Sequence, residues 1–246
     1  MGKTTRARLP SGGLECTLAR VSDLWQQFID NVPWFLQDSQ FVDARDEPRG
    51  SWRPRSRELP KVFPQLTRLL TSSFVTRVAT SEGAYVLHSW EAEDGYARSW
   101  LCPPPHDPPP RDLYSAHRIV LASFGGIVER SNEVNDSWLL NHSAVLTEEE
   151  ASHDATFIKE YGKAFADVPG GIPIDLEAYY SIAREANGNT TLCHRQTGDV
   201  LLFAPDHSFD HIVPLQDCPE YTLYRIPSAP TFEAWVEAVA RQWTVE

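Results

Sequence analysis

The run Pro103-Pro-Pro-His-Asp-Pro-Pro-Pro110 puts six prolines into eight residues and restricts the backbone more than any other stretch of the chain. Each pyrrolidine ring fixes φ at about −65° and removes an amide donor, so neither a helix nor a central strand can run through it. The segment must be extended and stiff. The charge changes at the same place. Residues 1–111 carry 14 Lys/Arg against 13 Asp/Glu, whereas residues 112–246 carry 8 against 21, so the net −12 of the 246-residue chain belongs to its second half. This predicts a connector at 103–111 between an N-terminal lobe, 21–102, and a second domain, 112–246. Residues 1–20, polar and containing Gly and Ser, read as a mobile tail.

In the N-terminal lobe, Val21, Leu24, Trp25, Phe28 and Ile29 fall at helical spacing behind Ser22, a good cap, and ahead of Pro33. Residues 43–60 are rich in Arg and Pro without periodicity and read as an exposed loop. Phe74–Ala79, Ala84–Trp90 and Tyr96–Leu101 are short β-branched or aromatic runs separated by Ser81-Glu-Gly83 and Glu93-Asp-Gly95, the pattern of a three-stranded antiparallel meander.

Beyond the proline run, Leu113, Ala116, His117, Val120, Leu121 and Phe124 form a helical stripe, with Gly125-Gly126 as its expected stop. Thr147 and Glu150 make a capping-box pattern for a helix over about 148–165. Leu176, Tyr179, Tyr180 and Ala183 predict another helix ending near Asn187-Gly188. A hairpin over Thr190–His194 and Val200–Ala204, a strand over Tyr221–Ile226 and an amphipathic helix from Phe232 to Trp243 complete the pattern. The fold class is α+β: a mainly antiparallel sheet with packed helices, plus an N-terminal α+β extension.

The longest apolar stretch, Val200–Ala204, is about five residues against the roughly 18 of a membrane span, so no membrane partner is expected. An acidic half repels phosphate backbones, which argues against direct nucleic-acid binding and admits a basic protein partner, although a merely solubilising surface reads the same way. The cysteines Cys16, Cys102, Cys193 and Cys218 form no C-x-x-C pair and no basic-apolar leader precedes them, so reduced thiols and a cytoplasmic location are expected. The sequon-like Asn135-Asp-Ser, Asn141-His-Ser and Asn189-Thr-Thr are then chance matches, and Gly2-Lys-Thr4 lacks the upstream glycine and strand of a phosphate loop.

One dense polar constellation stands out, Asp206-His-Ser-Phe-Asp-His211. Imidazole and carboxylate are metal-holding groups, and two Asp-His pairs four residues apart would share one face of a helix. A metal-dependent hydrolase or metal-regulated protein using Asp206, His207, Asp210 and His211 is therefore one reading. The other is a loop bonding to its own backbone, because the segment follows a strand and Pro205. Glu185, Asn187 and Asn189 read either as the wall of a polar pocket or as helix-end caps. Cys193 and His194, neighbours on an expected strand, point to opposite faces and make no dyad. No catalytic signature and no cofactor is expected.

Several segments in order carry a likeness: His117-Arg-Ile-Val-Leu-Ala-Ser-Phe-Gly-Gly126, Ile182-Ala-Arg-Glu-Ala-Asn-Gly-Asn-Thr-Thr191, Thr197-Gly-Asp-Val200, Phe203-Ala-Pro-Asp-His207 and Thr231-Phe-Glu-Ala-Trp-Val236. Residues 112–246 thereby resemble the SUKH superfamily, the bacterial immunity proteins and eukaryotic cell-wall regulators of the Smi/Knr type. Asp136–Asp175 looks like an insertion relative to that pattern. The resemblance implies a non-catalytic α+β domain that binds proteins, in bacteria typically the toxin of a polymorphic secretion system, with a basic nuclease as one possible class. Glu185, Asn187, Asn189, Asp206, His207, Asp210 and His211 are the candidate partner-binding residues. A regulatory scaffold without a toxin partner is a further alternative.

Overall fold

The computed structural model describes residues 22–36, 42–91, 97–132, 144–206 and 210–244. The expected tail, with Val21 and Tyr96, lies outside them. Among the described residues the fold is α+β, with two five-stranded antiparallel sheets.

Helix α1 spans Asp23–Asn31, and Ser22 accepts from the Trp25 amide at its start. Trp25 and Phe28 bury themselves against Ala44, Val78, Leu87 and Leu101 on one face of the first sheet. That sheet runs β1 (Val42–Glu47), β2 (Phe74–Thr80), β3 (Ala84–Glu91), β4 (Ala97–Cys102) and β5 (Glu129–Ser131), each beside the next. The meander is thus present and gains a strand on either side. The expectation of a loop over 43–60 is corrected for its first part. Asp43, Arg45 and Glu47 alternate with Ala44, and β1 is held by full pairing to β2 and by an Arg77–Glu47 ion pair at 2.8 Å. Charged residues suit an edge strand, and they mask its periodicity.

Two short helices, α2 (Leu59–Val62) and α3 (Pro64–Ser72), cover the other face of this sheet through Leu59, Phe63, Leu66 and Leu69. The start of α3 has no cap from its own chain neighbourhood. Instead the Glu237 carboxylate accepts from the Gln65 and Leu66 amides at 3.1 Å. A carboxylate there satisfies orphan donors and complements the helix dipole. Glu237 belongs to the last helix, α6 (Phe232–Trp243), capped by Thr231.

The second sheet runs β6 (Tyr179–Arg184), β7 (Thr190–His194), β8 (Val200–Phe203), β10 (Leu223–Arg225) and β9 (Val213–Pro214) in spatial order. Helix α4 (Ser115–Leu121) and α6 cover one face through Val120, Leu121, Phe232, Trp235 and Val239. A 3-10 helix over Ala155–Phe165, broken by a kink at Tyr161, covers the other, with Ile158 and Phe165 against Leu192, Leu201, Phe203 and Leu223.

Two expected helices are corrected. The predicted helix over 148–165 is broken into α5 (Glu148–Ala151) and the 3-10 helix, because the edge of β6 captures the intervening backbone: Ser181 N–H donates to His153 O at 2.8 Å and Asp154 bridges Tyr180. The predicted helix over 176–187 is a single 3-10 turn, Leu176–Ala178, followed by β6. Tyr180–Ala183 are buried on both faces of the sheet, and such a continuously buried run matches helical spacing as well as a strand.

Residues on both sides of the proline run share one core. Trp90 meets Trp100 at 5.1 Å between ring centres, and Trp100 meets Trp243 at the same distance. The sheets are also joined through backbone. Val128 N–H donates to Leu101 O, Ile127 and Val145 exchange two hydrogen bonds of 2.7 Å, and Leu146 N–H donates to Ile182 O at 2.7 Å.

The proline run lies over the end of α4, where His106 N–H donates to Leu121 O at 2.9 Å and the His106 ring pairs with Glu148. Gly125-Gly126 is not the helix stop, since α4 ends at Leu121. The pair sits at two backbone crossings. A Cβ on Gly125 would lie 2.4 Å from Pro103 O, and Gly126, at φ +92°, leaves only 2.7 Å to the backbone of Leu146.

Candidate functional site

The turn between β6 and β7 gathers four of the seven candidate residues. Glu185 N–H donates to Asn189 O at 2.8 Å and Gly188 N–H to Glu185 O at 3.0 Å, with Gly188 at φ +98° closing the turn. Asn187 Oδ1 accepts from the Asn189 amide at 3.2 Å, and Asn189 Nδ2 donates to Glu185 Oε2 at 3.1 Å. The segment after β8 is tied in twice: Asp206 N–H reaches Asn189 Oδ1 at 3.4 Å, and Asn187 Nδ2 donates to Asp206 Oδ2 at 3.1 Å. Asn189 and Glu185 are buried, while Asn187 and Asp206 face solvent. The outer pair is therefore presented on a frame that its buried neighbours hold in place.

Asp210 and His211 are exposed in the turn before β9, and His207 lies outside the described residues. Neither 204–206 nor 210–212 is helical, so the described part of the Asp-His constellation has no helix face on which the four-residue spacing could act. Among the described residues no group of three or more His, Cys, Asp or Glu is placed to hold a metal ion.

Beside the hairpin turn opens a cleft of about 560 Å³, walled by Asp154, Phe157, Glu160 and Tyr161 from the 3-10 helix and by Arg184, Gly188 and Thr190 from the hairpin. Asp154 caps the 3-10 helix by accepting from Thr156, through its amide at 3.0 Å and through its hydroxyl. These bonds hold its carboxyl below the usual range. Arg184 stands 3.2 Å from the buried Glu150 as an ion pair without an aligned hydrogen bond, and its guanidinium lies 5.7 Å from the centre of the Phe157 ring. Glu150 also accepts from Ser181 Oγ. Tyr161 packs edge-on against Phe203 at 5.0 Å and keeps 39% of its surface exposed.

The sequence pattern gives no notice of this cleft, because Glu150 and Arg184 meet across 34 positions and Tyr161 reaches the hairpin only through the 3-10 helix. Asp154-x-Thr156 signals a local cap, since an Asp two residues before Thr favours one, but not the cleft.

Two cysteines and two histidines sit elsewhere and inside. Cys102 and Cys193 are fully buried, and burial pushes the Cys193 thiol up to about 12. Burial lowers His88 to about 3 and His117 to about 4. His117 is spanned by Leu146 O at Nε2 and Tyr180 OH at Nδ1, both at 3.0 Å, which assigns its proton to Nε2. His194 Nδ1 accepts from the Gln196 and Thr197 amides and so holds the next turn.

No family model, no curated protein and no solved structure matches this chain.

Proposed function

We propose that this protein is a non-catalytic protein-binding module, and more narrowly an immunity protein that neutralises a basic toxin of a bacterial polymorphic system in the cytoplasm. The observation that carries the reading is the hydrogen-bonded hairpin turn, with Asn187 and Asp206 exposed on a frame held by buried Glu185 and Asn189. Side chains fixed before binding lose little conformational freedom on association, which is the property a tight inhibitor needs. The net −13 of residues 112–246 supports a basic partner, because complementary charge accelerates encounter and excludes wrong partners. The likeness of residues 112–246 to the SUKH pattern supports the same reading.

Co-expression with the protein encoded next door, followed by pull-down and a viability assay, tests it. A stable complex that rescues growth is expected, with rescue reduced by Asn187→Ala combined with Asp206→Ala. Absence of both complex and rescue with every adjacent candidate overturns toxin neutralisation, and a complex without rescue selects the scaffold reading.

A further inference from the structure

We infer that the cleft beside the β6–β7 turn is a receptor for an arginine side chain of the partner. This rests on the binding-module reading for the source of the arginine, while the cleft itself stands on its own geometry.

The charges facing the cleft are those of Asp154, Glu160 and Arg184, together with the imidazole of His153. Arg184 is matched from behind by Glu150 at 3.2 Å, so its charge is offset before it reaches the opening. Asp154 is ionised through its bonds from Thr156 and faces the same space as the exposed Glu160. Two carboxylates, Asp154 and Glu160, therefore face the cleft beside a guanidinium that already has its own counter-ion, with Lys159 and Arg195 close enough to Asp154 to act on its charge.

Two aromatic rings, Phe157 and Tyr161, stand in the otherwise mostly polar lining. Phe157 already carries the chain's own Arg184 guanidinium at 5.7 Å, so the ring left for an incoming group is that of Tyr161. Tyr161, braced by Phe203, offers a second ring at the opening. A planar cation that stacks on aromatic rings while donating to carboxylates is a guanidinium rather than an ammonium. The volume of about 560 Å³ admits a long side chain, and Gly188 of the lining is the chain neighbour of Asn187. Arginine is also among the residues that most often dominate binding energy at interfaces.

The test is an amide chemical-shift titration of the full chain with N-acetyl-arginine amide, run beside N-acetyl-lysine amide and the uncharged N-acetyl-norleucine amide. Saturable shifts confined to residues 153–161 and 184–190 are expected, with arginine tighter than lysine and norleucine silent. Glu160→Gln should weaken the arginine response about 5-fold, with thermal unfolding unchanged because Glu160 is exposed. Shifts scattered over the surface, or an arginine response equal to that of norleucine or unaltered by Glu160→Gln, would overturn the assignment. If the protein encoded next door binds the full chain and Glu160→Lys leaves that complex as tight as before, the binding module stands and the arginine receptor falls. If the arginine titration behaves as stated while no adjacent protein binds, the receptor stands and toxin neutralisation falls.

Discussion

Asn187 donates its side-chain amide to the Asp206 carboxylate at 3.1 Å, joining the β6–β7 turn to the segment that leaves β8. Behind this exposed pair, Asn189 bonds to Glu185 and to the Asp206 backbone. The two asparagines should therefore respond differently to truncation. Asn189→Ala removes a buried amide with several partners and should cost about 1–3 kcal/mol by denaturant unfolding. Asn187→Ala should cost less, about 0.5–1 kcal/mol, because its bond to Asp206 is solvated and the Asn189 amide that loses its acceptor is only part-buried. Equal losses would show that the buried frame does not support the outer pair.

His88 and His117 make stability depend on pH in a window that excludes the carboxylates. Both are neutral when folded, at about 3 and about 4, against 6.5 for an unperturbed histidine. The unfolded chain takes up protons first, so stability is complete above about pH 6.5 and falls as the pH drops towards 4. Each histidine should contribute a slope of up to about 1.4 kcal/mol per pH unit. Asp154 and Glu47, held below their ordinary values, add losses only at lower pH. Urea unfolding at pH 7.5 and pH 5 checks this, and His117→Gln, whatever its baseline cost, should roughly halve the slope. A flat profile between those pH values would refute it.

Gly125 has no room for a methyl group, since the Pro103 and Pro104 carbonyls lie 2.4 and 2.6 Å from an added Cβ. Gly125→Ala must displace the proline run or the chain beneath it, and a loss of about 3 kcal/mol is expected. Gly162 is the internal control, with nothing within 4 Å of its added Cβ. Gly162→Ala should stay within about 0.5 kcal/mol of the parent in the same thermal or urea measurement.

Glu237 caps α3 from 171 and 172 positions away. Glu237→Ala should destabilise by about 1–2 kcal/mol, and Glu237→Gln, which keeps an acceptor, should recover part of this. If alanine and glutamine behave alike, the carboxylate is not serving the two amides.

The legible part of the fold consists of elements whose pattern is local. Ser22 and Thr231 are caps beside clear apolar stripes, and the meander is marked by its two short polar turns. What escaped reading depends on distant partners. β1 is a strand because β2 pairs with it, and its Asp and Arg residues conceal that fact. β6 is buried on both faces, so its spacing fits a helix equally well. Gly125-Gly126 read as a helix stop because sequence records a glycine and not the backbone crossing above it. In the candidate site, Glu185, Asn187 and Asn189 were legible as one polar group, whereas Asp206, read with the Asp-His constellation, joins them only through tertiary contact, as do Arg184, Glu150 and Tyr161.

The backbone link from Leu101 through Val128, Ile127, Val145 and Leu146 to Ile182 bears on how the molecule would respond to being cut. Cleavage at the proline run would leave β4 on one fragment and its neighbour β5 on the other, each with unpaired amides and carbonyls of matching register. Bare edges seek a partner strand, and the best partner is the piece just removed. A cut there would thus break a sheet as well as the shared tryptophan core, so the two sides of the proline run depend on each other through backbone and side chains alike.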